Sequence, residues 1–423
     1  MKLHTRHFHI LISILLLLTL AACANQTTSQ DGTSQYAGAA GMEGTPVVDY
    51  VVPRMSANIL VDLSGYSTDG RKEAAVKGTQ LPETFRLIDA DTKTVVLDGP
   101  IGEVTYSEEL GLYLGYIDFS EFVQPGTYYL ECDIIGRSYR FQIGKQLPNQ
   151  MFEENYDKLM KQCEAGTLPV SEAIVLLMCY EWYQEMFPDQ NSNQIPDVLE
   201  KLKDLVTHME ATGAEKGEAA LYAAFLAKFS YNYQSYDRQY ATECVRRAAT
   251  VFGQVQTAIN KDSDNFLALT ELYRATGLST YRNPILEYKS FFEDNDNYLE
   301  EAEYLYGIMT YMVTRQRVDV DMCNAFMDGL MARAEEISNH CSDMVHPVTA
   351  RNNGAQDLMK HAIEVSCVNY IMNNYQYTSV VEEFLHYLMG RNQESVSFYA
   401  QDEERARYLL LLAQLAASSP QQE

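Results

Sequence analysis

Cys163-Glu164-Ala165-Gly166-Thr167 stands where the chain changes its hydrophobic period, and the two flanks of this pentapeptide decide the fold. Upstream, apolar and polar residues alternate in short runs: Asn58-Ile-Leu-Val-Asp62, Glu83-Thr-Phe-Arg-Leu-Ile88, Thr94-Val-Val-Leu97, Leu112-Tyr-Leu-Gly-Tyr-Ile117, Thr127-Tyr-Tyr-Leu-Glu131 and Tyr139-Arg-Phe-Gln-Ile143. Turn residues separate them, among them Asp69-Gly70, Asp98-Gly99-Pro100, Pro125-Gly126 and Gly136. A period of two, broken at short intervals by Gly and Pro, predicts about six or seven strands folded as a β-sandwich. We place that domain at residues 53–146.

Downstream the period becomes 3.6. Pro169 lies in the first turn of an apolar segment running to Phe187, with Thr167 placed to cap it. Ile195, Val198, Leu199, Leu202, Leu205, Val206 and Met209 make one helical face, with Pro196 at its start. Further helices are predicted at 219–233, 237–259, 263–276, 297–314, 320–340, 353–374, 377–389 and 402–417. Residues 150–418 thus read as an all-α array of about ten helices without heptads or a short strict repeat.

The beginning of the chain has a different character. Residues 1–22 carry Lys2 and Arg6, then the apolar run Ile10 to Leu20, then Leu20-Ala21-Ala22-Cys23. That is a secretory signal ending in a lipobox, in which Cys23 is acylated and becomes the new N-terminus. Residues 23–52 are rich in Gly, Ser, Thr, Gln and Ala and read as a flexible tether. The expectation is an exported lipoprotein, held by its lipid at the outer face of a bacterial cytoplasmic membrane or an equivalent envelope surface.

With 32 Lys+Arg against 58 Asp+Glu, the net charge is −26, and removal of residues 1–22 deepens it by two. Such a surface excludes nucleic acid as a partner, since a phosphate binder needs a basic stripe. It leaves neutral polysaccharides or a protein partner. Beyond Cys23 the seven cysteines form no Cys-x-x-Cys pair and several sit in apolar helical stripes, which favours free buried thiols over a zinc site, with a single disulfide as the alternative that export allows.

Several stretches carry a family resemblance. Ile59-Leu-Val-Asp-Leu-Ser-Gly-Tyr66 resembles the first strand of the immunoglobulin-like domain that precedes many glycoside hydrolase family 9 catalytic domains, although Asp62 and Leu63 replace its usual Asn-Gln. Asn193-Gln-Ile-Pro-Asp-Val-Leu-Glu200 resembles that family's Asn-Gly-Ile-Pro-Asp helix start, and Tyr387-Leu-Met-Gly-Arg-Asn392 its Tyr-Leu-Leu-Gly-Arg-Asn motif. The resemblance implies an (α/α)6 barrel of six helical hairpins behind an Ig-like sandwich, with the closure of the barrel left open.

It also implies a chemistry whose residues are altered. Inverting glycosidases need two carboxyl groups about 6.5–9.5 Å apart, one to activate water and one to protonate the leaving oxygen. The family's Asp-Ala-Gly-Asp loop supplies the base, and its counterpart here is Glu164-Ala-Gly-Thr167, so Thr167 stands at the base position. The acid lies beyond the Gly-Arg-Asn motif, where only 31 residues remain and Glu403 and Glu404 read as complements to a helix dipole. Trp182, the one tryptophan, and Tyr183 are candidates for lining a cleft, with a core position as the alternative.

Asp189, Asn191, Asn193, Asp197 and Glu200 occupy positions 1, 3, 5, 9 and 12 of a calcium loop, but Gln194 replaces its glycine. The loop reads first as a capped helix start, with calcium as the alternative. No other cofactor is expected. The chain is therefore expected to be a surface lipoprotein that has lost the hydrolytic pair and binds a glycan, such as a β-glucan or another neutral polysaccharide, or a protein partner. Two alternatives are a divergent hydrolase with relocated carboxylates, using Glu164, and a structural adaptor in a cell-surface complex.

Overall fold

The computed structural model describes residues 58–108, 110–213, 218–255, 261–295, 298–346, 354–400 and 404–418. The expectations for residues 1–22, for the tether 23–52 and for Cys23 lie outside them. Arg54–Glu423 forms one compact unit.

Among the described residues ten short strands make two sheets. One runs β1 (Ile59–Leu60), β3 (Glu73–Gly78), β7 (Leu112–Asp118), β6 (Gly102–Ser107). The other runs β2 (Tyr66–Ser67), β10 (Phe141–Gly144), β8 (Gly126–Cys132), β4 (Thr84–Asp89), β5 (Val95–Pro100), with β9 (Gly136–Arg137) paired to β8. Pairing is antiparallel except between β2 and β10. Ile59, Val76, Leu87, Ile117, Leu130 and Phe141 face inward to form the core between the sheets. Strands β3 and β6 are absent from the sequence reading. Glu73-Ala-Ala-Val-Lys-Gly78 has the composition of a helix, and it becomes a strand because pairing with β1 and β7 buries Ala74, Ala75 and Val76.

The helices form six outer–inner hairpins. They are α1 (Leu147–Ala165) with α2 (Val170–Trp182), α3 (Asp197–Thr212) with α4 (Ala219–Tyr233), and α5 (Arg238–Val255) with α6 (Ser263–Thr276). The outer member of the fourth is broken into α7 (Ser279–Glu287) and α8 (Lys289–Asp294), followed by α9 (Ala302–Val313). The last two pair α10 (Val320–Met344) with α11 (Ala355–Met372), and α12 (Thr378–Leu388) with α13 (Arg405–Ser418). Helices α2, α4, α6, α9, α11 and α13 pack in a closed ring, α13 returning against α2. The barrel is therefore complete despite the short stretch after Asn392. Inner helices such as α4, from Ala220 to Ser230, are buried all round, whereas α3 and α10 bury one stripe.

Sandwich and barrel meet through specific groups. Asp62 Oδ2 lies 2.7 Å from His386 Nδ1, Leu63 N donates to the Met389 carbonyl at 3.0 Å, and Lys77 Nζ donates to the Gln393 carbonyl at 3.1 Å. Arg391 reaches both Glu73 and Glu383. Gly390 has φ +135°, and a Cβ there would come within 2.5 Å of Leu63 Cγ. The glycine of the Gly-Arg-Asn motif is thus required by close approach of the sandwich as well as by its backbone. Among the described residues all seven cysteines are free thiols, six of them buried. No described helix is long and apolar enough to cross a membrane.

Candidate functional site

All six inner helices begin at one end of the ring, because each follows an outer helix running the opposite way. Contacts between their first turns mark that end: Glu172 on α2 accepts the N–H of Ala406 on α13 at 2.7 Å, and Arg407 Nε on α13 reaches Tyr306 Oη on α9 at 3.4 Å. Helix N-termini carry partial positive charge, so this mouth favours acidic groups.

The pentapeptide at 163–167 turns the chain into the mouth. Gly166 ends α1 with φ +67°, and a Cβ there would come within 2.8 Å of His208 Cβ on α3. Glycine is thus required at 166 by its backbone and by the close approach of His208. Thr167 does not cap α2 as expected. Pro169 holds the N-cap position, and Thr167 instead bonds backward, its N–H to the Gln162 carbonyl at 2.9 Å and its hydroxyl to the same oxygen at 3.4 Å. It belongs to the closing turn of α1. Glu164 turns outward from the ring, pairing with Lys201 of α3 at 2.6 Å with half of its side chain exposed.

Trp182 ends α2, and thirteen residues of helix place it about 18 Å from the start of α2 beside Thr167. It stacks on Tyr370 of α11 with ring centroids 4.3 Å apart and planes at 9°. Tyr183 is buried. Neither side chain shares the mouth with Thr167.

The mouth contains carboxylates that periodicity does not single out. Asp264, in the first turn of α6, is half-buried and faces Glu303, Asp262, Glu218 and Glu301. Burial first, and then those negative neighbours, push its carboxyl from the usual 3.8 up to about 6. Asp262 caps α6 by accepting the Asn265 N–H at 2.8 Å. Burial also raises Glu172, against the Ala406 N–H and Arg407, which lower it. Glu404 has φ +56°, a strained backbone for that residue, and its carboxylate pairs with Arg407 at 2.6 Å. The acidic first turns of α6 and α9 are visible in Asp262-Ser-Asp264 and Glu301-Ala-Glu303 once the helix starts are known.

The opposite end of the ring is chemically closed. Lys228 bonds Glu181 at 2.9 Å and Glu271 at 3.0 Å, while Arg274 bonds the same two carboxylates at 2.8 and 2.6 Å. Asn232 also donates to Glu181 Oε1 at 2.6 Å and Thr310 to Glu271 Oε1 at 2.7 Å, and the Arg274 guanidinium lies 4.3 Å from the Tyr231 ring centroid. Although burial pushes the Glu181 carboxyl up, Arg274 and Lys228 hold it well below the usual range.

The loop 189–200 is tied by its own hydrogen bonds. Asp189 accepts from Asn193 N and Gln194 N, and Glu200 accepts from the side-chain amides of Asn191 and Asn193 at 2.8 Å each. Asp197 accepts from Gln190 N at 3.3 Å. Gln194 takes φ +72° at the position where calcium loops place glycine. Among the described residues no three His, Cys, Asp or Glu side chains stand together as ligands for a metal ion.

Residues 54–137 match the cellulase N-terminal Ig-like domain, and residues 182–405 match glycosyl hydrolase family 9. The chain is similar in fold to a metagenome-derived family 9 endoglucanase, at 14% identity and TM-score 0.65, over 80% of this chain and 84% of that one. It is similar to a family 9 protein of Bacteroides ovatus, at 13% identity and TM-score 0.66, over 85% and 99% of the two chains. A thermostable endoglucanase from Alicyclobacillus acidocaldarius aligns at 15% identity and TM-score 0.60, over 82% and 84%. No curated protein matches the chain.

Proposed function

This chain belongs to glycosyl hydrolase family 9, and we propose that it is a non-catalytic member, a surface-anchored lipoprotein that binds a β-glucan or another neutral polysaccharide at the barrel mouth. The observation that carries this reading is Thr167. At the position read as the family's base, a hydroxyl bonded to the Gln162 carbonyl replaces a carboxylate and cannot take a proton from water near neutral pH. Two further features support it. Glu164 is engaged by Lys201 away from the ring, and Glu404, the carboxylate at the start of the last helix, is paired with Arg407 at 2.6 Å.

In this account Cys23 carries the lipid, residues 24–52 are the tether, and the folded unit stands at the outer face of the cytoplasmic membrane or an equivalent envelope surface. The sandwich is a support docked through Asp62 and His386. One observation favours a second reading, a divergent hydrolase: Asp264, raised to about 6, is suited to donate a proton near neutral pH.

The test is calorimetric titration and reducing-end release on the same protein with cello-oligomers, mixed-linkage glucan and xyloglucan. Binding without release is expected. Release that is lost in Asp264→Asn would establish the hydrolase instead, and silence in both assays would shift the role to a protein partner.

A further inference from the structure

The outer side of the barrel carries a cavity whose aromatic residues pack on Phe266 of α6. A groove of about 730 Å³ lies between α8, the single turn Tyr298–Glu300 and α10, within the size range of small-molecule sites, about 300–1,000 Å³. It exists because α10 turns Ala325, Gly329 and Ala332 toward it. At Gly329 a Cβ would come within 2.6 Å of Tyr298 Oη, so a side chain there would displace the tyrosine. Asp321 and Glu336 both line the groove, and fifteen residues separate them on one helix, about 22 Å. The site is long rather than round.

Its base is aromatic. Phe292 meets Tyr298 and Phe326 edge-on, at centroid distances of 4.9 and 5.1 Å. Its walls are acidic beyond what the local cations neutralise. Arg333 is committed to Glu364 at 3.1 Å, Glu336 at 2.8 Å and His361 Nε2 at 3.0 Å. Lys289 is paired with Asp319 at 3.6 Å. Glu293, Glu300 and Asp321 are exposed on the walls and have no cationic partner among the described residues. A neutral sugar would satisfy these carboxylates by hydrogen bonds alone, whereas an ammonium group would also supply the missing charge and gain from the aromatic base.

We propose that this groove binds a linear ligand bearing spaced primary ammonium groups, of the aliphatic polyamine or amino-sugar oligomer type. The site is independent of the glycan reading at the mouth and stands whether or not that reading holds.

The test is calorimetric titration of the full chain with spermine, with a glucosamine tetramer and with cellotetraose as the neutral control, at low and high salt. At least one amine should saturate, and cellotetraose should give no heat that groove variants remove. Ala332→Trp, which fills the groove from an exposed position, should weaken amine binding about tenfold or more, and Ala325→Leu provides the same block if the tryptophan variant does not fold. Asp321→Asn and Glu300→Gln should each weaken it about fivefold, with the loss shrinking at high salt. The amine that responds identifies the source. Failure of both amines to bind, or binding unchanged in the blocking variants, overturns the proposal.

Discussion

The two ends of the helical ring handle charge in opposite ways. Where the inner helices finish, two carboxylates and two cations close on one another, joining α2, α4 and α6, with Thr310 adding α9. Where those helices begin, Asp264 faces four other carboxylates, and the backbone at Glu404 is strained. The closed end holds four inner helices in register irrespective of what happens at the mouth. That separation lets a scaffold persist while the residues at its mouth change, because the groups that fix the ring are not the groups that would do chemistry.

The largest expected effect lies at the closed end. Glu271→Gln leaves Lys228 and Arg274 short of a charge in a buried site and should cost about 3–5 kcal/mol in denaturant unfolding. A loss below about 1 kcal/mol would show that the network is not what holds the ring. At the mouth the sign reverses. Folding raises the Asp264 carboxyl above its usual value, so the folded state holds the proton more tightly and stability falls as pH rises from about 4 through about 6. Because the group is half-exposed, its penalty at pH 7 is discounted to about 1 kcal/mol, and Asp264→Asn should recover that amount at pH 7 and nothing at pH 3. Carbon-detected titration of the carboxyl should give a midpoint near 6.

The sandwich junction gives an intermediate case with the opposite slope. Burial pushes His386 down, but its hydrogen bond to Asp62 and that residue's charge more than offset this, so the imidazole is raised above 6.5. Arg391 opposes the protonated form and Glu382 supports it. A raised histidine contributes its full stability below about pH 6.5 and loses it as pH climbs through the folded value. The gap between the wild-type protein and His386→Gln, followed by thermal unfolding, should be widest at pH 5–6 and narrow toward pH 8. The smallest effect is local: Gln194→Gly relieves a left-handed backbone and should stabilise by about 0.5–1 kcal/mol.

Much of this architecture is legible in the sequence because burial is periodic. The face Val198-Leu199-Leu202-Leu205-Val206 folds as read, and so do the strands at 84–89 and 126–132. Other parts follow no local rule. Helix α7 carries Pro284 inside it and lies outside every helix that periodicity predicts, and β3 has helical composition but is recruited by its neighbours. The closed-end network left one signal, Lys228 inside the apolar run Ala223-Ala-Phe-Leu-Ala-Lys-Phe229, but its partners lie 43 and 47 residues away. Trp182 reads as core, with the cleft as the alternative, and its place at the end of α2 and its stacking on Tyr370 put it at the far end. Asp264 looks like an ordinary helix-start acid until the starts of α4 and α9 are brought beside it.

The most direct test of the central claim, that the ring has kept its fold while the mouth lacks a working acid and base, is reducing-end release from mixed-linkage glucan at high protein concentration across pH 4–7. The account predicts release equal to that of Asp264→Asn and of buffer at every pH. Release by the wild-type protein that rises and falls around pH 6 and disappears in Asp264→Asn would contradict it.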